Sequence, residues 1–366
     1  MTSSESGGEG VFSQTYAEAR GKFIAAAEAA GLQLQSHPHP LLGQHGETLA
    51  MDIARLGAAD SPRLLVITSA CHGVEGFCGS GLQNALIADP GFHAAAHAAG
   101  IAVLYVHALN PWGFSWWRRT THENVDLNRN WHDFSRPLPH NAGYEEIAHA
   151  LLPASWPPAA ENEAVLAAFA ARHGPRALQA AVTGGQYQFD QGIFFGGRSP
   201  TWSQQTLRSV LQEHGTQCSR LAWIDIHTGL GPSGHAELIY AGRDDAASVS
   251  RARAWWGAEV TSIYDGSSAS ALLSGLIFNA VYEECPRAEY TGIAFEVGTV
   301  PMQEVIGALR QDQWYENNPA APAADRAAAR QRMRDTFYTD TPHWKQQVLA
   351  QGLDVAGAAL RGLAGA

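Results

Sequence analysis

The sequence predicts an α/β fold: a single large domain with a mixed, largely parallel central sheet that helices cover on both faces. Three features of the 366-residue chain support this prediction. Several short runs are continuously apolar, as in strands buried on both faces of a sheet. Helix-like stretches alternate with these runs, which is the pattern of a largely parallel sheet. Only 16% of the residues are charged, against about 25% in an average soluble protein, which indicates a sizeable core.

The predicted strands are the clearest elements of the chain. The run RLLVITS at 63–69 is typical of a strand without a solvent-facing side. The proline- and histidine-containing stretch at 37–40 is expected to be a loop. The predicted strands are 49–53, 63–69, 101–106, 221–226 and 292–297.

Helices are predicted where apolar residues recur at helical spacing. The first, over 14–31, is expected to end at Gly31, because glycine commonly follows the last turn of a helix. The alanine-rich C-terminal part, from about residue 324, is expected to form covering helices. The other predicted helices are 80–88, 161–173, 203–214, 246–256, 271–284 and 302–312.

The chain shows no internal repeat and no low-complexity linker. Residues 1–10 are expected to be a flexible leader, and residues 11–366 a single catalytic domain. Within that domain, proline-rich and glycine-rich patches indicate long loops in the segment 136–200. We expect this segment to be an insertion that shapes or covers a pocket.

Composition excludes several classes of protein. The net charge of −11 and the absence of a lysine- or arginine-rich run argue against a nucleic-acid partner. The four cysteines form no C-x-x-C pair, so a reducing compartment is the default expectation. Because the sequence shows neither a signal peptide nor an apolar run long enough to span a membrane, we expect a cytoplasmic protein without a membrane partner.

Polar side chains cluster just after the buried strands, where ligands bind in α/β sheets. His72 and Glu75 follow the strand at 63–69 within a glycine-rich turn, and His227 lies at the end of the strand at 221–226. Glu296 lies inside an apolar run and therefore needs a partner or a function, because a buried unpaired carboxylate is costly. A further polar segment, Asn-Val-Asp-Leu-Asn-Arg-Asn-Trp, spans 124–131.

Imidazole and carboxylate groups are good zinc ligands, and a catalytic zinc takes three protein ligands and leaves one position open. His72 and Glu75 with His227 supply such a set, and Glu296 beside it is suited to act as a general base. Plainer interpretations exist for each residue. His72 and Glu75 would be surface residues, His227 a hydrogen-bonded core histidine, and Glu296 half of a buried ion pair.

These motifs occur in an order that resembles zinc carboxypeptidases of the carboxypeptidase A type. The runs at 124–131 and 225–231 make the chain similar to the branch shared with aspartoacylase and succinylglutamate desuccinylase. The resemblance spans about residues 60–300. It implies one zinc ion per chain, held by His72, Glu75 and His227, with Glu296 as general base and acid.

The resemblance also implies roles for the residues around the metal. Asp126 would accept a hydrogen bond from a zinc-bound imidazole, while Asn128 and Arg129 would hold a substrate carboxylate. An arginine upstream would stabilise the oxyanion, and Arg118 ranks slightly ahead of Arg119. The tyrosine that caps the peptidase pocket has no single counterpart, since Tyr264, Tyr282 and Tyr290 are all candidates.

The resulting hypothesis is a zinc-dependent hydrolase that cleaves an amide bond next to a free carboxylate. Its substrate is a small molecule or a short peptide, and the alternative to a peptidase is an N-acyl amino acid deacylase. A non-catalytic zinc- or ligand-binding protein on the same fold is a further alternative. A dinucleotide-binding site is disfavoured because Asn84 stands where the fingerprint needs its third glycine, and no Gly-x-Ser-x-Gly motif is present. The sequence does not predict an oligomeric state.

Overall fold

The computed structural model of the chain describes residues 9–365. The predicted flexible leader over 1–10 therefore lies almost wholly outside the described residues, and only its end is seen, where Glu9–Val11 form a 3-10 helix. No described helix is both long enough and apolar enough to cross a membrane.

One mixed sheet forms the centre of the described chain. Its strands between residues 9 and 365 are β1 (Gln33–Leu42), β2 (Thr48–Leu56), β3 (Arg63–Thr68), β4 (Ala102–His107), β5 (Arg220–Thr228), β6 (Ala236–Tyr240) and β7 (Glu289–Val297). They lie in the order β1-β2-β4-β3-β5-β7-β6. The four neighbours β4, β3, β5 and β7 run parallel, whereas β1, β2 and β6 pair antiparallel at the two sides. The predicted mixed sheet with a parallel centre is thus confirmed.

Helices cover both faces of this sheet. The helices between residues 9 and 365 are α1 (Tyr16–Ala29), α2 (Gly76–Ile87), α3 (Pro90–Ala98), α4 (Pro111–Ser115), α5 (Ala142–Leu151), α6 (Ala160–His173), α7 (Pro175–Thr183), α8 (Trp202–Gly215), α9 (Ala246–Trp256), α10 (Asn279–Glu284), α11 (Met302–Asn317), α12 (Ala323–Phe337) and α13 (Pro342–Ala364). Successive side chains of β3 point to opposite faces of the sheet. Leu65 and Ile67 pack into a core shared with α1, α2 and α13. Leu64 and Val66 pack into a second core shared with α8 and α10.

Two sequence-based expectations are wrong, and both errors have a packing reason. The helix predicted over 271–284 is reduced to α10, because residues 271–278 form an irregular segment whose apolar side chains face a cavity and not a helix partner. The loop expected at 37–40 is instead part of β1. Its prolines Pro38 and Pro40 are tolerated because β1 is an edge strand, where a missing N–H costs no ladder bond.

Candidate metal centre

The turn after β3 brings His72 and Glu75 to the carboxyl edge of the parallel strands. Gly73 must be glycine there, since a Cβ at that position would lie 2.1 Å from the backbone carbon of Gly113. The neighbouring N–H groups of Gly73 and Val74 donate to the carbonyl oxygens of Arg119 and Arg118, at 3.1 Å and 2.9 Å. The turn is therefore fixed by backbone contacts on both sides.

Strands β5 and β7 place the other two predicted residues beside this turn. His227 and Glu296 are direct partners in the parallel pairing of β5 with β7, so their side chains leave the same face of the sheet. Both are buried, as are His72 and Glu75. The structure thus brings all four residues together at one edge of the sheet.

Three ligand-type side chains converge on a single point. The Nδ1 atoms of His72 and His227 are 3.2 Å apart. The carboxylate of Glu75 lies 2.9 Å from His72 Nδ1 through Oε1, and 3.2 Å from His227 Nδ1 through Oε2. The three residues form a buried group whose ligand atoms all lie within 4.8 Å of one another, close enough for one ion to bridge them.

Carboxylates behind the two imidazoles orient them for metal binding. His72 Nε2 lies 3.1 Å from Asp126 Oδ1, and His227 Nε2 lies 2.7 Å from Asp225 Oδ2. Asp225 favours a proton on His227 Nε2, which leaves the Nδ1 lone pair of His227 directed at the common point. His72 Nε2 faces both Asp126 and the guanidinium of Arg119, whose Nη2 lies 2.8 Å away. Two imidazole nitrogens and a carboxylate are a donor set that zinc accepts at catalytic sites, so the residues present fit the ion.

Asp225 is a site residue whose role the sequence analysis did not assign. Its second oxygen, Oδ1, accepts a hydrogen bond from Thr68 Oγ1 at 2.5 Å, and that hydroxyl also accepts from Trp223 Nε1 at 2.7 Å. The sequence spacing could have indicated this role, because Asp225 stands two residues before His227 on a strand, and residues two apart on a strand share a face. Asp126 occupies the corresponding place behind His72.

Charge interactions set the protonation of this buried cluster. Burial alone would raise the pKa of Glu75, but the neighbouring imidazoles of His72 and His227 outweigh it and hold the pKa far below its usual range. Burial would lower the pKa of His227, but Asp225 and Glu75 raise it well above its ordinary value. Metal binding requires the neutral form of each imidazole and is therefore coupled to proton release.

Glu296 differs from the other carboxylates of the cluster. Burial and the nearby Glu75 carboxylate raise its pKa to about 7. Its Oε1 accepts a hydrogen bond from the Leu230 N–H at 3.0 Å. A carboxyl group with a pKa near neutrality can both accept and release a proton at physiological pH.

The two adjacent arginines point in different directions, and this corrects the expectation that ranked Arg118 first. Arg118 turns away from the cluster, with Nε 3.1 Å from Asp312 Oδ2 and Nη2 2.7 Å from Gln313 Oε1 on α11. Arg119 faces the cluster, with Nη1 3.2 Å from Glu75 Oε1 and Nε 3.0 Å from Asp126 Oδ2. Only Arg119 of the pair lines the cavity beside the three ligand-type residues.

Asn128 and Arg129 line the same cavity, but both already contact the backbone. Asn128 Oδ1 accepts from the Ile277 N–H at 3.0 Å. Arg129 donates to Thr183 O through Nε and Nη2, at 3.1 Å and 2.7 Å, and to Asn128 O through Nη1 at 2.8 Å. Since a guanidinium carries five N–H groups, two remain for a ligand. Their role in binding a carboxylate stays a prediction.

The segment 136–200 contributes directly to the cavity wall. Gln179, Thr183 and Phe194 from this segment line the cavity. The ring of Phe194 lies under both cavity arginines, 5.1 Å from the guanidinium carbon of Arg119 and 5.7 Å from that of Arg129. Such stacking favours a fixed guanidinium orientation.

One of the three candidate tyrosines reaches the cavity. Tyr290 lines it, at the start of β7. The hydroxyl of Tyr264 donates to the Gly242 carbonyl at 2.8 Å, and that of Tyr282 accepts from the Arg243 N–H at 3.1 Å. Both of these hydroxyls thus contact the loop after β6.

Comparison with known proteins supports the fold. A family model described as "Protein of unknown function (DUF2817)" matches residues 12–351. The structure is similar to carboxypeptidase A from Helicoverpa armigera, with a TM-score of 0.50, 12% identity, and coverage of 96% of this chain and 74% of that one. It is also similar to thrombin activatable fibrinolysis inhibitor, with a TM-score of 0.51, 11% identity, and coverage of 99% and 80%. No curated protein matches the chain.

Substitution of Asp225 by asparagine tests the geometry behind His227. An amide cannot supply the same charge to the imidazole, so we expect Asp225→Asn to weaken zinc binding by about 10–100-fold. The measurement is zinc titration of the metal-free protein in competition with a chelator. Asp60→Asn, in an exposed loop, is the matched control and should bind zinc like the parent. Equal zinc affinity in both variants would contradict the assigned geometry.

Proposed function

The chain belongs to the DUF2817 family, and we propose that it is a zinc-dependent hydrolase that cleaves an amide bond next to a free carboxylate. The observation that carries this proposal is the convergence of His72 Nδ1, His227 Nδ1 and the Glu75 carboxylate beside Glu296. A structural ion pair would not need two imidazoles with their Nδ1 atoms facing each other. A hydrolytic metal site needs this arrangement together with a base.

His72, Glu75 and His227 would hold one zinc ion. When bound, zinc supplies Lewis-acid polarisation of a substrate carbonyl and lowers the pKa of a water molecule. Asp225 would keep His227 in the tautomer that this binding requires, and Asp126 lies behind His72 in the corresponding position.

Glu296 is the proposed general base and acid. Its raised pKa, about 7, suits a carboxyl group that takes a proton from the attacking water and returns it to the leaving nitrogen. The Leu230 N–H holds one carboxylate oxygen, so the group keeps a fixed orientation during this transfer. The presence of this residue also favours an enzyme over a binding protein on the same fold.

Arg119 is the proposed oxyanion-stabilising residue. Its guanidinium is held by Glu75 and Asp126 and lies in the cavity next to the ligand-type residues. A preorganised cation at this position stabilises negative charge that develops on a carbonyl oxygen. Arg129, with Asn128, would bind the free carboxylate through its remaining N–H groups.

Two substrate classes share this chemistry. A peptide with a free C terminus and an N-acyl amino acid both present an amide next to a carboxylate. The similarity to carboxypeptidase folds favours a peptide as the first candidate. The sequence resemblance to aspartoacylase and succinylglutamate desuccinylase keeps the N-acyl amino acid as the alternative.

Substitution of Glu296 by glutamine tests the mechanism. Glutamine has nearly the same shape as glutamate, but its amide cannot take up and release the proton of the attacking water. We therefore expect kcat to fall by about 10²–10⁴-fold. The measurement is hydrolysis of short peptides and N-acyl amino acids, with the zinc content determined in parallel. Glu304→Gln, at an exposed position of α11, is the control with unchanged kcat. Full activity in Glu296→Gln would eliminate this residue as the base.

The two neighbouring arginines give a second test. We expect Arg119→Gln to lower kcat by about 10²–10³-fold, because it removes the cation nearest to the developing charge. Arg118→Gln removes a buried contact with Asp312, which keeps Arg330 as a second partner, and should instead lower the free energy of unfolding by about 1–3 kcal/mol. Steady-state kinetics and thermal unfolding of both variants separate these effects. A larger loss of kcat in Arg118→Gln than in Arg119→Gln would reverse the assignment.

A further inference from the structure

The last residue of the motif Gly-Gly-Gln-Tyr, at 184–187, lies behind Arg129. Tyr187 is buried, and its hydroxyl donates to the carbonyl oxygen of Arg129 at 2.8 Å. Burial raises the pKa of Tyr187 to about 12, so the hydroxyl keeps its proton and remains a donor at physiological pH. This contact joins the segment 136–200 to the polar segment 124–131.

Two further side chains contact the same hydroxyl. His132 Nε2 lies 2.5 Å from it, and Ser274 Oγ lies 3.0 Å from it. Because the single hydroxyl proton goes to Arg129, His132 Nε2 carries a proton and donates in this contact. The Tyr187 hydroxyl therefore joins three separate parts of the chain.

The hydrogen bonds continue from Ser274 to the guanidinium of Arg129 and close a ring. The Gly184 carbonyl accepts from the Ser274 N–H at 3.1 Å and from its Oγ at 3.2 Å. The carbonyl of the preceding residue, Thr183, accepts from Arg129 Nε and Nη2 at 3.1 Å and 2.7 Å. Tyr187 thus holds the main chain of Arg129 directly and, through Ser274, the part of the chain that holds its guanidinium.

Two glycines pack closely against this ring. A Cβ at Gly275 would lie 2.2 Å from the carbonyl oxygen of Arg129, and one at Gly196 would lie 2.1 Å from Tyr187 Cε1. Gly275 also has a φ of +71°, a conformation that favours glycine. Backbone on both sides therefore limits the movement of Tyr187 and of the Arg129 peptide group.

We propose that Tyr187 is a positioning residue that fixes the orientation of Arg129 toward the free carboxylate of the substrate. The inference rests on the proposed function, in which Arg129 binds that carboxylate. One N–H on each of Nη1 and Nη2 is left for the ligand, so both must be directed at the carboxylate together. A small shift of the guanidinium would weaken both hydrogen bonds. Tyr187 does not line the cavity and therefore acts through Arg129.

Substitution of Tyr187 by phenylalanine removes the hydroxyl and keeps the ring of the side chain. Binding of N-acetylalanine and of its carboxamide, N-acetylalaninamide, is measured by ligand-observed NMR in the zinc-loaded Glu296→Gln background. The two probes differ only in the group that would face Arg129. We expect the background protein to bind the acid at least about 10-fold more tightly than the amide, and Tyr187→Phe to reduce this preference to about 3-fold or less.

Tyr16→Phe in the same background is the matched control. The Tyr16 hydroxyl is also buried and donates to a backbone carbonyl, that of Ala50, at 3.1 Å, between α1 and β2. This variant should keep the full preference for the acid, whatever its effect on thermal unfolding. An undiminished preference in Tyr187→Phe, or an equal reduction in both variants, overturns the inference. A background protein that does not prefer the acid contradicts the proposed carboxylate site and the inference that rests on it.

Steady-state kinetics separate positioning from catalysis. For the compound that the parent protein hydrolyses best, Tyr187→Phe should raise KM by about 10-fold and leave kcat within about 3-fold, because the hydroxyl acts on binding and not on proton transfer by Glu296. A fall in kcat with an unchanged KM contradicts the positioning role. The binding comparison applies even if the parent hydrolyses no compound, so failure of the proposed hydrolase activity is distinguished from failure of this inference.

A double variant tests whether the two hydroxyls act in one ring. Ser274→Ala removes the side-chain link between Tyr187 and the Gly184 carbonyl, and we expect the preference for the acid to fall by about 3-fold. Since either substitution opens the same ring, the double variant should lose little more than Tyr187→Phe alone. Losses that multiply in the double variant would contradict the ring.

Discussion

The balance of charge in one buried cluster is the constraint on which the site depends. Glu75, Asp126, Asp225 and Glu296 are all buried at the edge of the sheet. Buried carboxylates are tolerated only with partners that compensate their lost hydration. Arg119 bridges Glu75 and Asp126, the imidazole of His72 also contacts Asp126, and that of His227 contacts Asp225. A divalent cation at the shared point of these groups would add compensating charge, which is the physical basis of the proposed metal site.

The parallel strands explain why this cluster is possible. The carboxyl ends of β3, β5 and β7 meet at one edge, so residues that are about 150 and 220 positions apart in the chain become neighbours. The turn after β3 supplies His72 and Glu75, β5 supplies Asp225 and His227, and β7 supplies Glu296.

The sequence predicted the elements that depend on strong local patterns. Continuously apolar runs identified the buried strands, and polar residues after them identified the edge where His72, Glu75, His227 and Glu296 meet. It did not distinguish Arg118 from Arg119, because adjacent residues in an irregular turn can point either way and only contacts with distant α11 decide. The apolar residues at 271–278 suggested a helix, but most of them line the cavity of the candidate metal centre, a tertiary feature that no local pattern encodes.

Crystals of the zinc-loaded protein, measured on both sides of the zinc absorption edge, test most directly whether His72, Glu75 and His227 hold a zinc ion. We expect one anomalous peak per chain, about 2.0–2.2 Å from the Nδ1 atoms of both histidines and from the Glu75 carboxylate. Zinc bound elsewhere, or a site without anomalous signal while the two imidazoles keep their present contacts, would contradict it.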